Sequence, residues 1–100
     1  MTTNYARGAN FERKTRDYCM SKDVGAVYVI RAAGSHTIAD LVVLFRDKPP
    51  WLVQCKRDGR LSDEDTELLV SLANEAQATP ILAYQGKRGF PVQLRELGGS

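Results

Sequence analysis

The sequence predicts an α/β domain in which a mixed β-sheet is flanked by helices in the order αβββαβ(β). Three observations carry this reading. Two segments of helical period enclose three short β-rich runs, two of those runs are separated by a pair of prolines, and another apolar strand follows the second helix. The chain has 100 residues, 43% hydrophobic and 26% charged, so residues 1–100 are expected to form one folded domain and not a disordered chain.

The first helix is expected from about Ala9 to Lys22, where Phe11, Thr15, Tyr18 and Cys19 fall at i, i+4, i+7 and i+8 and make one moderately apolar stripe. Arg13, Lys14, Arg16 and Asp17 occupy its other faces. Ala26–Arg31 is rich in β-branched and aromatic residues and reads as a strand, stopped by Gly34-Ser35. Ala39–Phe45 is almost continuously apolar apart from Asp40, as a strand covered on both faces is. Pro49 and Pro50 cannot sit in a central strand, so the chain turns there and Trp51–Lys56 returns as the second arm of a hairpin.

Ser62 offers an N-cap for the second helix, and Asp63, Glu64, Asp65 and Glu67 crowd its start, where the helix dipole favours negative charge. Leu68, Leu69, Leu72, Ala73 and Ala76 are expected to face the core as far as about Gln77. Pro80–Tyr84 reads as another strand and Pro91–Leu97 as a short edge strand.

The formal net charge of +2 conceals an asymmetry: residues 1–60 carry eleven Lys/Arg against six Asp/Glu, and residues 61–100 carry three against six. Positive charge gathered on one part of a small domain is the electrostatic footprint of a nucleic-acid binder, and also that of a solvated face. No apolar run approaches the roughly 20 residues of a membrane helix, and Met1–Asn10 is polar, so no signal peptide, no membrane partner and a cytoplasmic location are expected. Cys19 and Cys55 lack the spacing of a zinc or redox pair and are expected to be reduced.

A carboxylate inside a hydrophobic strand needs a reason, and Asp40 is such a carboxylate. Gln54 and Lys56 raise the same question in the returning strand, where they share one face while Trp51, Val53 and Cys55 share the other. With the turn centred near Asp47, facing residues have numbers that total 94, as Asp40 and Gln54 do. Opposed antiparallel positions bring Cβ atoms about 4.5–5.5 Å apart, near enough for one cation to bridge two oxygens. The same residues also fit a structural salt bridge between Asp40 and Lys56 with Gln54 hydrogen-bonded beside it. Glu12 borders the buried stripe of the first helix and is placed to lean toward them. A helix-borne Glu, a strand Asp, an amide oxygen and a Lys suit metal-dependent phosphodiester hydrolysis, because Mg2+ takes hard oxygen ligands.

R-G-A-N-F-E at 7–12, V-I-R-A-A-G-S at 29–35, A-D-L-V at 39–42 and V-Q-C-K at 53–56 resemble, in that order, the archaeal-type Hjc-like Holliday junction resolvases, which are also found in phages. These nucleases belong to the restriction-endonuclease-like superfamily, whose PD-(D/E)xK motif is matched by Asp40 and by Gln54-x-Lys56. The resemblance implies a restriction-endonuclease-like fold. It also implies Mg2+ (with Mn2+ able to substitute), a homodimer, and four-way junction DNA cut by paired nicks in the cytoplasm, that of the host if the chain is phage-encoded.

Carried over, the resemblance makes Asp40 the central metal ligand, with Glu12, Gln54 and the carbonyl of Cys55 as the other metal-side groups. Lys56 positions the attacking water and Ser35 approaches the scissile phosphate. Arg7 and Arg31 hold the DNA backbone. Apart from the resemblance, Arg13, Lys14 and Arg16 on the basic side of the first helix are expected phosphate contacts. Arg57, Arg60, Lys87 and Arg88 are expected phosphate contacts if they flank the site, and otherwise ordinary surface charge. Gln54 stands where the family has an acid, and a neutral amide attracts Mg2+ less. His36 reads as a solvated loop residue, and Trp51 as core or subunit interface. A restriction- or repair-type endonuclease acting on duplex DNA, a junction-binding module without cleavage, and a domain that binds no nucleic acid are the alternatives. Their separate expectations are duplex cutting, binding without nicks, and no DNA affinity at low salt.

Overall fold

Phe11, Thr15 and Cys19 are all buried, so the stripe read from the sequence is the inner face of α1, Asn4–Cys19. The structure, a computed structural model, describes residues 4–32, 38–87 and 89–98, and the side chains of residues 4–9 are not among those described. The helix starts at Asn4, not Ala9, and stops at Cys19, short of Lys22. Its end is set by competition for carbonyls: the Ser21 hydroxyl donates to Tyr18 O at 2.6 Å and the Ala26 N–H to Cys19 O at 3.0 Å. Gly25, at φ +80°, makes the bend that brings Ala26 back.

Strands β1 Tyr28–Arg31, β2 Leu41–Leu44, β3 Trp51–Cys55, β4 Thr79–Tyr84 and β5 Gln93–Glu96 form one sheet in the spatial order β1-β2-β3-β4-β5. Helix α2, Asp63–Ala76, is the crossover that makes β3 and β4 parallel, and the other neighbours are antiparallel. The expected mixed sheet and element order are therefore present. β2 and β3 pair as Leu41↔Val53, Val42↔Leu52 and Val43↔Trp51, which is the register that a turn centred near Asp47 gives. The turn end of this hairpin is closed by Phe45 and Trp51, whose ring centroids lie 4.7 Å apart, with Lys48 Nζ 4.2 Å from the Phe45 centroid.

Alternation along the strands divides the core. Leu41, Val43, Val53, Ile81 and Ala83 pack under α1 with Phe11 and Cys19, and Leu52 and Leu82 pack under α2 with Leu69, Ala73 and Leu97. α2 is capped as expected, Ser62 Oγ accepting from the Asp65 N–H at 3.1 Å, and ends where Gln77 adopts the left-handed conformation at φ 56°. Its apolar stripe is narrower than expected: Leu69 and Ala73 are buried, whereas Leu68, Leu72 and Ala76 face solvent. Only the arc directly over the sheet reaches it, and those three residues lie on the flank.

Candidate active site

Asp40 sits where the regularity of β2 fails. Ala39 packs on the α2 side of the sheet, yet Leu41, two residues on, packs on the α1 side, so the chain twists between them. The Asp40 N–H donates to Val53 O at 2.8 Å, one residue short of the facing position, so the ladder bends. Such departures re-aim a side chain. The Asp40 carboxylate turns back to β3 and accepts the Cys55 N–H through Oδ2 at 2.8 Å. Burial pushes its pKa above the usual carboxylate value; the Cys55 hydrogen bond opposes this, Glu12 adds to it, and Lys56 and Arg31 oppose it. Glu12, Arg31, Asp40 and Lys56 thus share one electrostatic neighbourhood, drawn from α1, β1 and the adjoining ends of β2 and β3.

Thr15 fixes α1 to this neighbourhood. It is fully buried, its hydroxyl donates to Phe11 O at 2.8 Å, and it also interacts with the Cys55 thiol. Glu12 lies almost one helical turn earlier, and its Oε1 accepts from Arg31 Nε at 3.2 Å. Cys19 and Cys55 are free thiols, as expected, and burial pushes Cys19 up to about 11 and raises Cys55 as well, which keeps both protonated and unreactive.

The regular β2–β3 pairing ends at Leu41↔Val53, and because the Asp40 N–H also returns to Val53 O, Gln54 is not paired with Asp40 as the sequence arithmetic expected. Gln54 Oε1 is buried and has no hydrogen-bond partner among the described residues. An orphaned acceptor of this kind is costly unless an ordered water or a cation meets it. Among the described residues the ion pairs are Arg16–Asp17 and Arg31–Glu12. The structural alternative, an Asp40–Lys56 bridge with Gln54 hydrogen-bonded beside it, is therefore not what forms.

The oxygens at hand are hard: the Asp40 carboxylate and Glu12 in one electrostatic neighbourhood, with the Gln54 amide and the Cys55 carbonyl on the strand to which Asp40 is hydrogen-bonded. That chemistry fits Mg2+ or Mn2+ and not zinc. Among the described residues no three His, Cys, Asp or Glu side chains gather to hold a metal, so the fit depends on the neutral oxygens.

Arg13 and Arg16 line an open cleft with Glu12, Arg31 and Leu41. Lys14 and Arg57 line a second, open cleft with Asn10, Phe11 and Gln85. Arg60 is exposed in the turn after β3, where its N–H donates to Asp58 Oδ1. Asn10 and Gln85 were not among the sequence candidates. Gln85, a buried polar residue directly after an apolar strand, carries the same signal as Gln54. The Arg7 side chain, Ser35, His36 and Arg88 lie outside the described residues.

Among solved structures, the chain is similar to that of Hjc from Archaeoglobus fulgidus, a Holliday junction resolvase from an archaeal hyperthermophile, with a TM-score of 0.72 and 22% identity over 89% of this chain and 76% of that one. The two share a fold. No family profile matches the sequence, and no curated protein matches it. The expected fold class therefore stands on the backbone likeness to this resolvase. Among the described residues no helix is long and apolar enough to cross a membrane.

Proposed function

We propose that the protein is a Mg2+-dependent endonuclease, with Mn2+ able to substitute, that resolves four-way DNA junctions by paired symmetric nicks as a cytoplasmic homodimer. The observation that carries this reading is the half-buried Asp40 carboxylate, pinned by the Cys55 N–H beside Glu12 and Lys56, with the unpartnered Gln54 oxygen one residue before Cys55 on β3. The likeness to a junction resolvase supports it.

Asp40, Gln54, the Cys55 carbonyl and Glu12 would hold the cation, which supplies Lewis acidity toward the phosphodiester when bound. Lys56 offsets negative charge as it builds on the phosphate and orients the attacking water. Ser35 contributes a hydroxyl to the scissile phosphate. Arg7, Arg13, Lys14, Arg16, Arg31, Arg57 and Arg60 hold the backbone, so binding depends steeply on salt, and shape, not base identity, sets the preference.

One 100-residue chain offers one such site, and a junction needs two cuts, which a two-fold dimer supplies. Leu68 and Leu72 of α2 are 53% and 42% exposed. On the other flank of the helix Val70 packs beside Gly98, so these leucines overhang the β1–β2 side, where Tyr28 and Ile30 are also exposed. Leu68→Glu with Leu72→Glu is expected to give a monomer by sedimentation without loss of helix content, and to turn paired incisions into isolated nicks.

The deciding experiment incubates the protein with an end-labelled four-way junction, with and without Mg2+, beside linear duplex of equal length. Paired incisions that require the metal support the proposal; equal cutting of duplex replaces it with a restriction- or repair-type enzyme. The neutral Gln54 favours one other reading, a junction-binding module without cleavage, for which tight binding with no nicks at any Mg2+ or Mn2+ concentration is the signature.

A further inference from the structure

The Glu12–Arg31 pair joins α1 to the edge strand β1, and its two ends differ in setting: the Glu12 side chain is 21% exposed and that of Arg31 52%. Both line the cleft that also carries Arg13 and Arg16, and both act on Asp40, with opposite signs. Resting on the proposed nuclease reading, we infer that Arg31 is an exchangeable counter-ion. It neutralises Glu12 in the cation-free protein and passes to a DNA phosphate in the same cleft when a divalent cation takes Glu12, so cation and DNA favour each other's binding.

The chemistry of the pair supports an exchange. A guanidinium presents the same fork of donors to a carboxylate and to a phosphate, so Arg31 changes partner without changing its bonding. An ion pair half open to water contributes little stability, so parting it costs little. In the cation-free state Arg31 also spares the half-buried Asp40 part of the repulsion from Glu12. Once the cation supplies that positive charge, Arg31 stands beside Arg13 and Arg16 with its own carboxylate neutralised. Linkage is reciprocal: whatever the cation adds to DNA affinity, DNA adds to cation affinity. Arg31 is on this account a positioning residue, acting on the reaction through Glu12 and the phosphate.

The test is binding, measured without turnover. Mn2+ affinity of the DNA-free protein is read by electron paramagnetic resonance, and junction affinity is read in Ca2+ and in EDTA. Arg31→Gln is expected to bind Mn2+ about two- to fivefold tighter than the unaltered protein, because Glu12 is released. It is also expected to lose the gain in junction affinity that Ca2+ gives the unaltered protein, while Arg31→Lys keeps part of that gain. In a Glu12→Gln background the gain from Arg31→Gln is expected to shrink to the small part that Arg31 exerts directly on Asp40, closing a double-mutant cycle. A purely structural role for the pair predicts weaker Mn2+ binding on its loss, and unchanged or weaker binding by Arg31→Gln overturns the inference alone. Failure of the unaltered protein to bind Mn2+ overturns the metal-dependent nuclease reading with it.

Discussion

Asp40→Asn is expected to lower junction cleavage by ~10³-fold or more, to leave junction binding intact, and to raise the melting temperature by roughly 2–5 °C. The three effects have one physical source. The carboxylate is half-buried, and desolvation is the largest influence on it, outweighing the hydrogen bond from the Cys55 N–H. An amide oxygen can still accept that bond, so Asn keeps the bend at the start of β2 while removing a charge that folding disfavours. The gain is small because solvent screens a half-open group. Binding is retained because phosphate contacts to the arginines and lysines dominate affinity. Gel-shift, cleavage and calorimetric measurements on the same preparation check all three, and a variant that melts lower would mean that the carboxylate is a structural anchor.

The sign of the pH dependence follows. Asp40 has a folded pKa above its ordinary value of 3.8, so the native state holds its proton more tightly than the unfolded chain does. Its ionisation therefore destabilises the fold above the folded pKa, and that penalty disappears as pH falls through it. The advantage of Asp40→Asn is thus expected at about pH 7 and absent at about pH 3. Cleavage moves the other way, because the ionised form is the one a cation needs: activity is expected to fall in acid. A cleavage midpoint that moves to higher pH as Mg2+ is lowered ties the titration to Asp40, because cation and proton compete for one carboxylate.

Much of this is legible in the sequence because strand pairing obeys simple arithmetic. Two prolines force the turn, and a turn centred near Asp47 gives the pairing of Leu41, Val42 and Val43 with Val53, Leu52 and Trp51, although the bend at Asp40 then departs from that arithmetic. The α1 stripe is equally plain, since Phe11, Thr15 and Cys19 recur at the helical period and bury together. The misses have physical causes. Helix α1 reaches back to Asn4 because backbone hydrogen bonding propagates beyond the stripe that the sequence marks. Leu68, Leu72 and Ala76 fit an apolar face on a helical wheel, but how wide an arc meets the sheet depends on how the helix is seated. The Glu12–Arg31 pair spans 19 positions and exists only because α1 lies against the end of β1. The twist between Ala39 and Leu41 that aims the carboxylate has no signature beyond an acid in an apolar run.

Gln54→Glu tests that aim from the other side. The Oε1 of Gln54 is buried without a partner, so the position already has the cost of a desolvated polar atom and lacks only the charge. A carboxylate there would add attraction for a hard cation; an added charge at close range in a partly solvated site is worth about 1–2 kcal/mol after screening. That lowers the Mg2+ concentration for half-maximal cleavage by about tenfold. Without metal the same charge would be buried with no partner for its oxygen and weaken the fold by roughly 1–2 kcal/mol at neutral pH. The loss disappears as the new carboxyl protonates in acid, and added Mg2+ restores stability by mass action. Melting curves with and without Mg2+, set beside a metal titration of cleavage, read both halves. If the half-maximal Mg2+ concentration does not move while the apo protein is destabilised, the position 54 side chain does not meet the cation, and the metal must be held by Asp40 with Glu12 and backbone oxygen alone.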